Sequence, residues 1–449
     1  MSDSQPVLLL IGGDPYAIRG ALRHGLNPVV VHSPFTGDWG PLVSDWSRMP
    51  IPEGAHAVFS EDATSIERVL FSLHRQGVVD REIVGIQTSS EEALVTAAAL
   101  GRVLGVPAID AGTAVRFRDK SVQKRLVSAA GVAAAASQII EDVHEPDLSG
   151  IDDFGVAVLK PVAGGGTRNT SIVRSRAELA ARCAEYRRLR IPQRAFVLEE
   201  FIDGDEWVVE GVVFDGQIQF FCVGSYSEPC LAIVESNGVM RGERFDPSAD
   251  ADVYEMVRPM AETTVKALGL ESGVFHLELF RERGTGRLVF GECAARRGGG
   301  LTHEVVECKF GVDLGAASVL CAAGIDPRIE PSIRPGTVGS TFLPGRAGVV
   351  ASYPSPVAVA ARPGVEHVRL EQPYGTRLAG AANTIAGVGQ VVVSGRSREE
   401  FSLHCDLLTQ WFDEQLVVIP DDASNQDRRD WQAAHWPDTA SFFPTYSKD

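Results

Sequence analysis

The segment from Gly273 to Glu304, GVFHLELFRERGTGRLVFGECAARRGGGLTHE, constrains the fold more than any other stretch of the chain. It reads as two apolar strands, Val274 to Phe280 and Leu288 to Cys293, joined by a Gly-Thr-Gly turn. Each strand carries one carboxylate in an otherwise apolar run, Glu278 and Glu292. A charge inside a buried strand is costly unless it is paired or binds a metal. Two such charges on neighbouring strands, with Arg296 four residues beyond the second, fit a divalent-cation site beside an anionic group. A pair of salt-bridged core glutamates explains this segment equally well, so the rest of the chain has to decide.

The chain has 449 residues, 44% of them hydrophobic, enough for a large core and roughly three domains. Its net charge of −17 argues against nucleic acid as a partner, because a phosphate backbone needs basic stripes. A few local lysines can still bind a phosphate ligand. No basic segment precedes a long apolar run, and Val7 to Ile11 is far too short to span a bilayer, so no membrane association is expected. The seven cysteines, Cys183, Cys222, Cys230, Cys293, Cys308, Cys321 and Cys405, form no CxxC pair and fit reduced, mostly buried thiols in a cytoplasmic protein.

Residues 7 to 33 read strand, Gly12-Gly13-Asp14 turn, helix, strand, a doubly wound α/β opening. The turn lacks the full G-x-G-x-x-G pattern, and close packing explains its glycines as well as a phosphate cradle does. A second strand, IVGIQTSS, leads into a helix beginning at EEALV. Glu91 there lies at the strand's carboxyl end, where ligands of open α/β sheets bind, although complementing the helix dipole is a sufficient local reason for it. In RDKSVQKRLVSAAGV, Asp119 sits near the N-terminus of a helix that Gly131 ends, and Lys120 in the first turn opposes the dipole unless an anion sits nearby. VAVLKPVAGGGTRNTSIV puts Lys160 at a strand end before the loop Gly164 to Asn169, a glycine run able to cover phosphate or simply to turn a hairpin. Glu199 and Glu206 flank a short turn between apolar strands. After the central hairpin, GVDLGAASVLCAAG reads as an amphipathic helix, and Pro327, Pro331 and Pro335 mark a linker. The region to Val418 alternates short strands and turns and closes with a helix whose apolar face is Phe401, Cys405, Leu408 and Phe412. A polar tail with Trp431 and Trp436 follows.

Two lysines, a glycine loop, two linked glutamates, then two strand glutamates followed by an arginine form an ordered set. The order resembles that of the ATP-grasp superfamily of carboxylate–amine ligases, over roughly residues 1 to 420. It is carried by DK at 119–120, LKPVAGGGTRN at 159–169, LEEFIDGDE at 198–206, HLELF at 276–280 and GECAARRGGG at 291–300. Within the superfamily the layout is most like L-amino acid ligases, or dipeptide synthetases, with the E-x-x-A-R-x-G-G-G form and the T-x-x-E of Thr88 to Glu91 as pointers. The resemblance implies an α/β ATP-grasp fold in four parts. These are a doubly wound N-terminal α/β domain over 1–115, a central α+β nucleotide-binding domain over 116–330 with a lid at about 133–197, a small α+β C-terminal domain over 331–420, and a tail over 421–449. It further implies ATP and Mg²⁺, with Mn²⁺ as an alternative ion, amino acid or peptide substrates, and a homodimer as the common assembly.

The roles it implies are specific. Lys120 and Lys160 would hold ATP phosphates, and Gly165, Gly166 and Thr167 would close over them. The backbone of Glu200 to Ile202 would meet the adenine edge with Glu199 assisting, and Glu206 would accept from the ribose hydroxyls. Glu278 and Glu292 would bind Mg²⁺. Arg296 would bind the substrate carboxylate and stabilise the acyl phosphate or oxyanion. His276 shares a strand face with Glu278, either acting on substrate or orienting that glutamate. Glu91 would meet a substrate amino group, while His303 and Glu304 would contact an amino acid or only begin the next helix. One departure stands out: many ATP-grasp enzymes place an asparagine two residues after the second metal glutamate, and here that residue is Ala294. The competing readings are a carboxylase-type subunit acting on bicarbonate and a non-catalytic ATP-binding regulatory module. Ala294 and the absence of a biotinyl-carrier segment disfavour the first; the presence of both lysines and both glutamates disfavours the second.

Overall fold

The computed structural model describes residues 6–33, 51–151, 154–236, 238–378, 387–427 and 429–430. Trp431 and Trp436 therefore lie outside the described residues. The chain divides into two compact units, Met1–Ser225 with Arg244–Arg334, and Tyr226–Glu243 with Pro335–Asp449.

The first unit opens with four parallel strands, β1 (Val7–Ile11), β2 (Asn27–His32), β3 (His56–Phe59) and β4 (Ile83–Gln87), in the order β3-β2-β1-β4. Strands of a parallel sheet covered by helices read as continuous apolar runs, and β1 is buried at every residue. Helices α1 (Pro15–Arg23), α2 (Ile66–Arg75) and α3 (Leu94–Leu104) follow β1, β3 and β4. Asp14 caps α1 by accepting from the Tyr16 amide. Then come α4 (Ala111–Arg118) and α5 (Lys120–Ala129), which share Asp119 as C-cap and N-cap.

A small antiparallel sheet follows, ordered β5-β8-β6-β7, from β5 (Ser137–Ile140), β6 (Ala157–Pro161), β7 (Ser171–Val173) and β8 (Phe196–Glu200), with α6 (Arg176–Leu189) beside it. Ser175 caps α6 by accepting from the Glu178 amide, as the Ser-x-x-Glu pattern predicts. The central strands β9 (Gly204–Phe214) and β10 (Gln217–Tyr226) form a hairpin whose turn holds Asp215 at φ 50° and Gly216 at φ 70°, the left-handed pair of a type I′ turn. In the second unit's first segment lie α7 (Cys230–Ser236) and most of β11 (Arg241–Arg244). Helix α8 (Ala251–Leu268), β12 (Gly273–Glu282) and β13 (Leu288–Ala294) return to the first unit, whose sheet runs β13-β12-β9-β10. A core of Trp207, Val209, Phe275, Leu277 and Phe290 packs under it.

Helices α9 (Thr302–Phe310) and α10 (Leu314–Ala322) complete that unit. The expected amphipathic stripe on α10 is absent: Leu314 to Cys321 are buried without a break. Its small residues serve close contact instead. A Cβ on Gly315 would stand 2.6 Å from Tyr16, and one on Gly20 would stand 2.6 Å from Ala316, so α1 and α10 touch backbone to backbone.

The second unit has a sheet of β14 (Thr337–Leu343), β16 (Val365–Leu370) and β18 (Gly389–Gly395) with β11 beside β14. A three-stranded sheet, β15 (Gly348–Ser352), β17 (Arg377–Leu378) and β19 (Val417–Ile419), accompanies it, with the short α11 (Pro356–Ala360). Helix α12 (Arg398–Gln415) buries Phe401, Cys405, Leu408 and Phe412, the face its periodicity predicts. Among the described residues all seven cysteines are free, and no helix is long and apolar enough to cross a membrane.

Candidate active site

Antiparallel pairing of β12 and β13 sets Glu278 directly opposite Glu292, with a register shift at the next residue. Such a bulge re-aims the side chains around it. The Glu292 carboxylate lies 3.2 Å from Lys120 Nζ and 3.8 Å from Lys160 Nζ. Lys160, at the end of β6, is also 3.0 Å from the buried Glu199 carboxylate on β8. Lys120 donates to the Gly164 carbonyl at 2.8 Å, so the first turn of α5 touches the glycine loop. Five elements, α5, β6, β8, β12 and β13, thus bring two lysines and three carboxylates together.

A third lysine belongs here and was not singled out from sequence. Lys124 follows Lys120 by one helical turn, is 3.2 Å from Glu199 and donates to the Gly291 carbonyl at 3.1 Å. Burial and the like charge of Lys160 outweigh Glu199 and bring its ammonium down to about 8. For Lys160 burial is overcome instead: Glu199 and Glu292 hold its ammonium above the ordinary lysine range. Burial opposes ionisation of Glu292 too, yet Lys120 and Lys160 lower it to about 2.

His276 sits across from Glu210 of β9 in the strand register. Its Nδ1 is 2.5 Å from Glu210 Oε1 and its Nε2 is 3.2 Å from Glu278 Oε1. Although burial works against the charged ring, the two carboxylates raise it to about 10. The two flanking carboxylates favour the charged ring, in which both nitrogens donate. Of the two readings open from sequence, this geometry suits orientation of Glu278.

Glu91 falls in the turn before α3, whose N-cap is Ala93, so it does not serve that helix as a cap. Its carboxylate accepts from Arg296 and, at 3.0 Å, from Arg118. Arg118 also donates to the Ala163 carbonyl at 2.9 Å, which ties the N-terminal sheet to the glycine loop. His303 and Glu304 open α9. The His303 ring stacks on Tyr16 with centroids 4.0 Å apart, and the Tyr16 hydroxyl donates to Glu304. Arg297 completes this contact, with its guanidinium 4.7 Å from the Tyr16 ring centre and 3.3 Å from the Asp14 carboxylate. The glycine turn after β1 thus brings Asp14 and Tyr16 to the Arg296–Glu304 segment.

The loop from Gly164 to Asn169 turns through three left-handed residues, Gly166, Thr167 and Asn169 at φ 60°, 58° and 54°. A β-branched residue there is unusual, and the Thr167 hydroxyl donates to the Gly166 carbonyl at 2.7 Å within the turn. At the end of β8, the Glu200 and Phe201 amides donate to the Ala136 and Val156 carbonyls, which leaves the Ile202 amide outside those bonds. Glu206 is buried near the start of β9, paired in register with Phe280.

The donor set suits a nucleotide triphosphate with a divalent cation. Two lysines are balanced only by carboxylates, Glu278 and Glu292 face each other with part of each side chain open, and the buried Glu199 Oε1 has no hydrogen-bond partner.

No family model matches the chain. It is 24% identical over 322 residues to an L-arginine-specific L-amino acid ligase of Bacillus subtilis, a match covering 70% of this chain and 74% of that protein. Among solved structures, the L-amino acid ligase from Bacillus licheniformis superposes with a TM-score of 0.74 at 21% identity, covering 93% of this chain and 99% of that one. Biotin carboxylase from Campylobacter jejuni superposes with a TM-score of 0.61 at 14% identity, covering 93% of each chain. The chain has the ATP-grasp fold and is similar, in sequence and in fold, to L-amino acid ligases.

Proposed function

We propose that the chain is an ATP-dependent, ADP-forming ligase that joins an amino acid or peptide carboxylate to an amine through an acyl phosphate. The observation that carries this reading is the convergence of Lys120, Lys160, Glu278 and Glu292, with Arg296 next to them in sequence and held by Glu91. Mg²⁺, or Mn²⁺ in its place, would be held by Glu278 and Glu292, where it screens phosphate charge during transfer.

The remaining roles fall to this chain's own groups. Lys120 and Lys160 exchange Glu292 for ATP phosphate oxygens, and the loop carrying Gly165, Gly166 and Thr167 covers them. Glu199, the Glu200–Ile202 backbone and Glu206 hold the nucleoside. Arg296 holds the acceptor carboxylate by a forked pair of donors and then stabilises the oxyanion formed on amine attack. Glu91 neutralises Arg296 while no substrate is bound and turns to the incoming ammonium when a carboxylate replaces it. His276 keeps Glu278 in place. His303 and Glu304, with Tyr16, wall the amino acid side of the site. No observation favours bicarbonate as the acceptor, and Ala294 stands where the carboxylases carry asparagine.

The test is phosphate release with Mg-ATP across all pairs of the common amino acids, with mass spectrometry on positive wells. A dipeptide mass accompanied by ADP supports the reading. ATP binding without product for any pair turns the search to unusual amino acids, longer peptides or carrier-bound partners, and absence of ATP binding overturns it.

A further inference from the structure

Glu210 has no exposed surface, yet burial of an ionised carboxylate is among the costliest arrangements in a fold. Its surroundings explain how it is tolerated. Oε1 meets His276 Nδ1 at 2.5 Å, Oε2 accepts the Gly298 amide at 2.8 Å, and the Arg244 guanidinium stands 3.8 Å away. Two hydrogen bonds and one guanidinium charge, from three separate parts of the chain, meet on one side chain.

Two of these bonds lead to groups given roles above. The His276 ring that Glu210 grips at Nδ1 presents Nε2 to Glu278. The Gly298 amide is half of a peptide group whose other half is the Arg297 carbonyl, and that carbonyl accepts from Arg296 Nη1 at 2.6 Å. Fixing the N–H on Glu210 therefore fixes the direction of the carbonyl that holds the Arg296 guanidinium. Space around Gly298 is fully used as well. A Cβ there would stand 2.6 Å from Glu210 Oε1 and 2.9 Å from both His276 Nδ1 and Thr302 Oγ1.

We infer that Glu210 is the positioning residue of the site. It sets Arg296 through one peptide plane and Glu278 through His276, so that the substrate-carboxylate end and the metal end are registered by a single buried carboxylate. This inference rests on the ligase reading for its catalytic consequence, but its structural half does not. A glutamine is the informative replacement. A carboxylate accepts from both N–H groups at once, whereas an amide accepts with its oxygen only and must present NH₂ to the other partner.

The experiment uses the full chain with Glu210→Gln, Gly298→Ala and Arg296→Ala, the first also combined with the third. Binding of Mg-ADP is measured by calorimetry, amide exchange by mass spectrometry, and turnover with the amino acid pair that the screen identifies. For E210Q the expectation is that Mg-ADP still binds, that amide exchange over 297–300 is faster by about tenfold with α8 unchanged, and that kcat is lower by about 10²-fold. In the Arg296→Ala background the same substitution should cost far less, since its main target is gone. Wild-type exchange and kcat in E210Q overturn the inference. So does an equal loss in both backgrounds, or weakened Mg-ADP binding with faster exchange throughout, which marks a merely structural carboxylate. If E210Q does not fold, G298A decides by the same exchange and kcat criteria. If Mg-ADP does not bind the wild-type chain, the ligase reading fails while the exchange result still judges Glu210.

Discussion

The central sheet and the sheet of the second unit are both antiparallel and both carry apolar cores, but they bury different polar groups. Strands β9 and β12 enclose Glu206, Glu210 and His276 among valines, leucines and Phe275, whereas the buried polar side chains described in the second unit are the neutral Thr337, Thr341 and Gln390. A sheet of this kind is held together with its ion pairs, such as Arg369 with Glu371, outside the fully buried core, as the described residues of β14, β16 and β18 with α12 demonstrate. The charges in β9 and β12 therefore do something other than hold strands, since each must offset its own desolvation before it contributes anything.

Breaking the charged sheet should be far more damaging to turnover than to folding. Replacing Glu292 with Ala is expected to abolish metal-dependent phosphate release, and full activity in that variant would sink the metal assignment. Replacing Arg296 with Ala should lower kcat by about 10²–10³, the scale for losing one transition-state donor. If KM for the amine rose instead at unchanged kcat, Arg296 would be a binding residue only.

The neutral sheet should show the reverse. Phe412 is fully buried against Phe401, Leu408 and β18, and Phe412→Ala should cost about 3–5 kcal/mol of stability in the second unit, read by denaturant unfolding. The kcat of the protein that remains folded should not change; a tenfold drop would break the contrast between the two sheets.

The smallest effect concerns pH. Lys124 binds its proton less tightly in the fold, at about 8, than in the unfolded chain, at 10.5. The cost of a buried ammonium is thus carried in full below pH 8 and disappears as pH rises from 8 to 10.5. Over that window the native protein should gain stability on the order of 3 kcal/mol relative to Lys124→Met. Parallel pH profiles for the two proteins would contradict the assignment.

How much of this was legible in the sequence follows from how local each signal is. The pairing of Glu278 with Glu292 could be read because both lie on one hairpin, and the face of α12 because its periodicity runs for about three turns, from Phe401 to Phe412. Glu210 carried the same signal as Glu278, a carboxylate in an apolar strand, and was overlooked. Lys124 was also within reach, one turn after Lys120. Tyr16 was not, because its partner Glu304 is 288 residues away and nothing near either residue announces the contact. Helix α10 misled for a different reason: glycine, alanine and serine look like a solvent face in a pattern, but they are also what lets two helix backbones touch, as Gly20 and Gly315 do.

The central claim, carboxylate activation by phosphoryl transfer, is tested most directly with an ¹⁸O-labelled acceptor carboxylate, once a turned-over pair is in hand. The account predicts that one ¹⁸O appears in the released inorganic phosphate for each amide bond formed, with ADP as the other product. Unlabelled phosphate accompanying amide formation, or label recovered in AMP, would contradict an acyl-phosphate route.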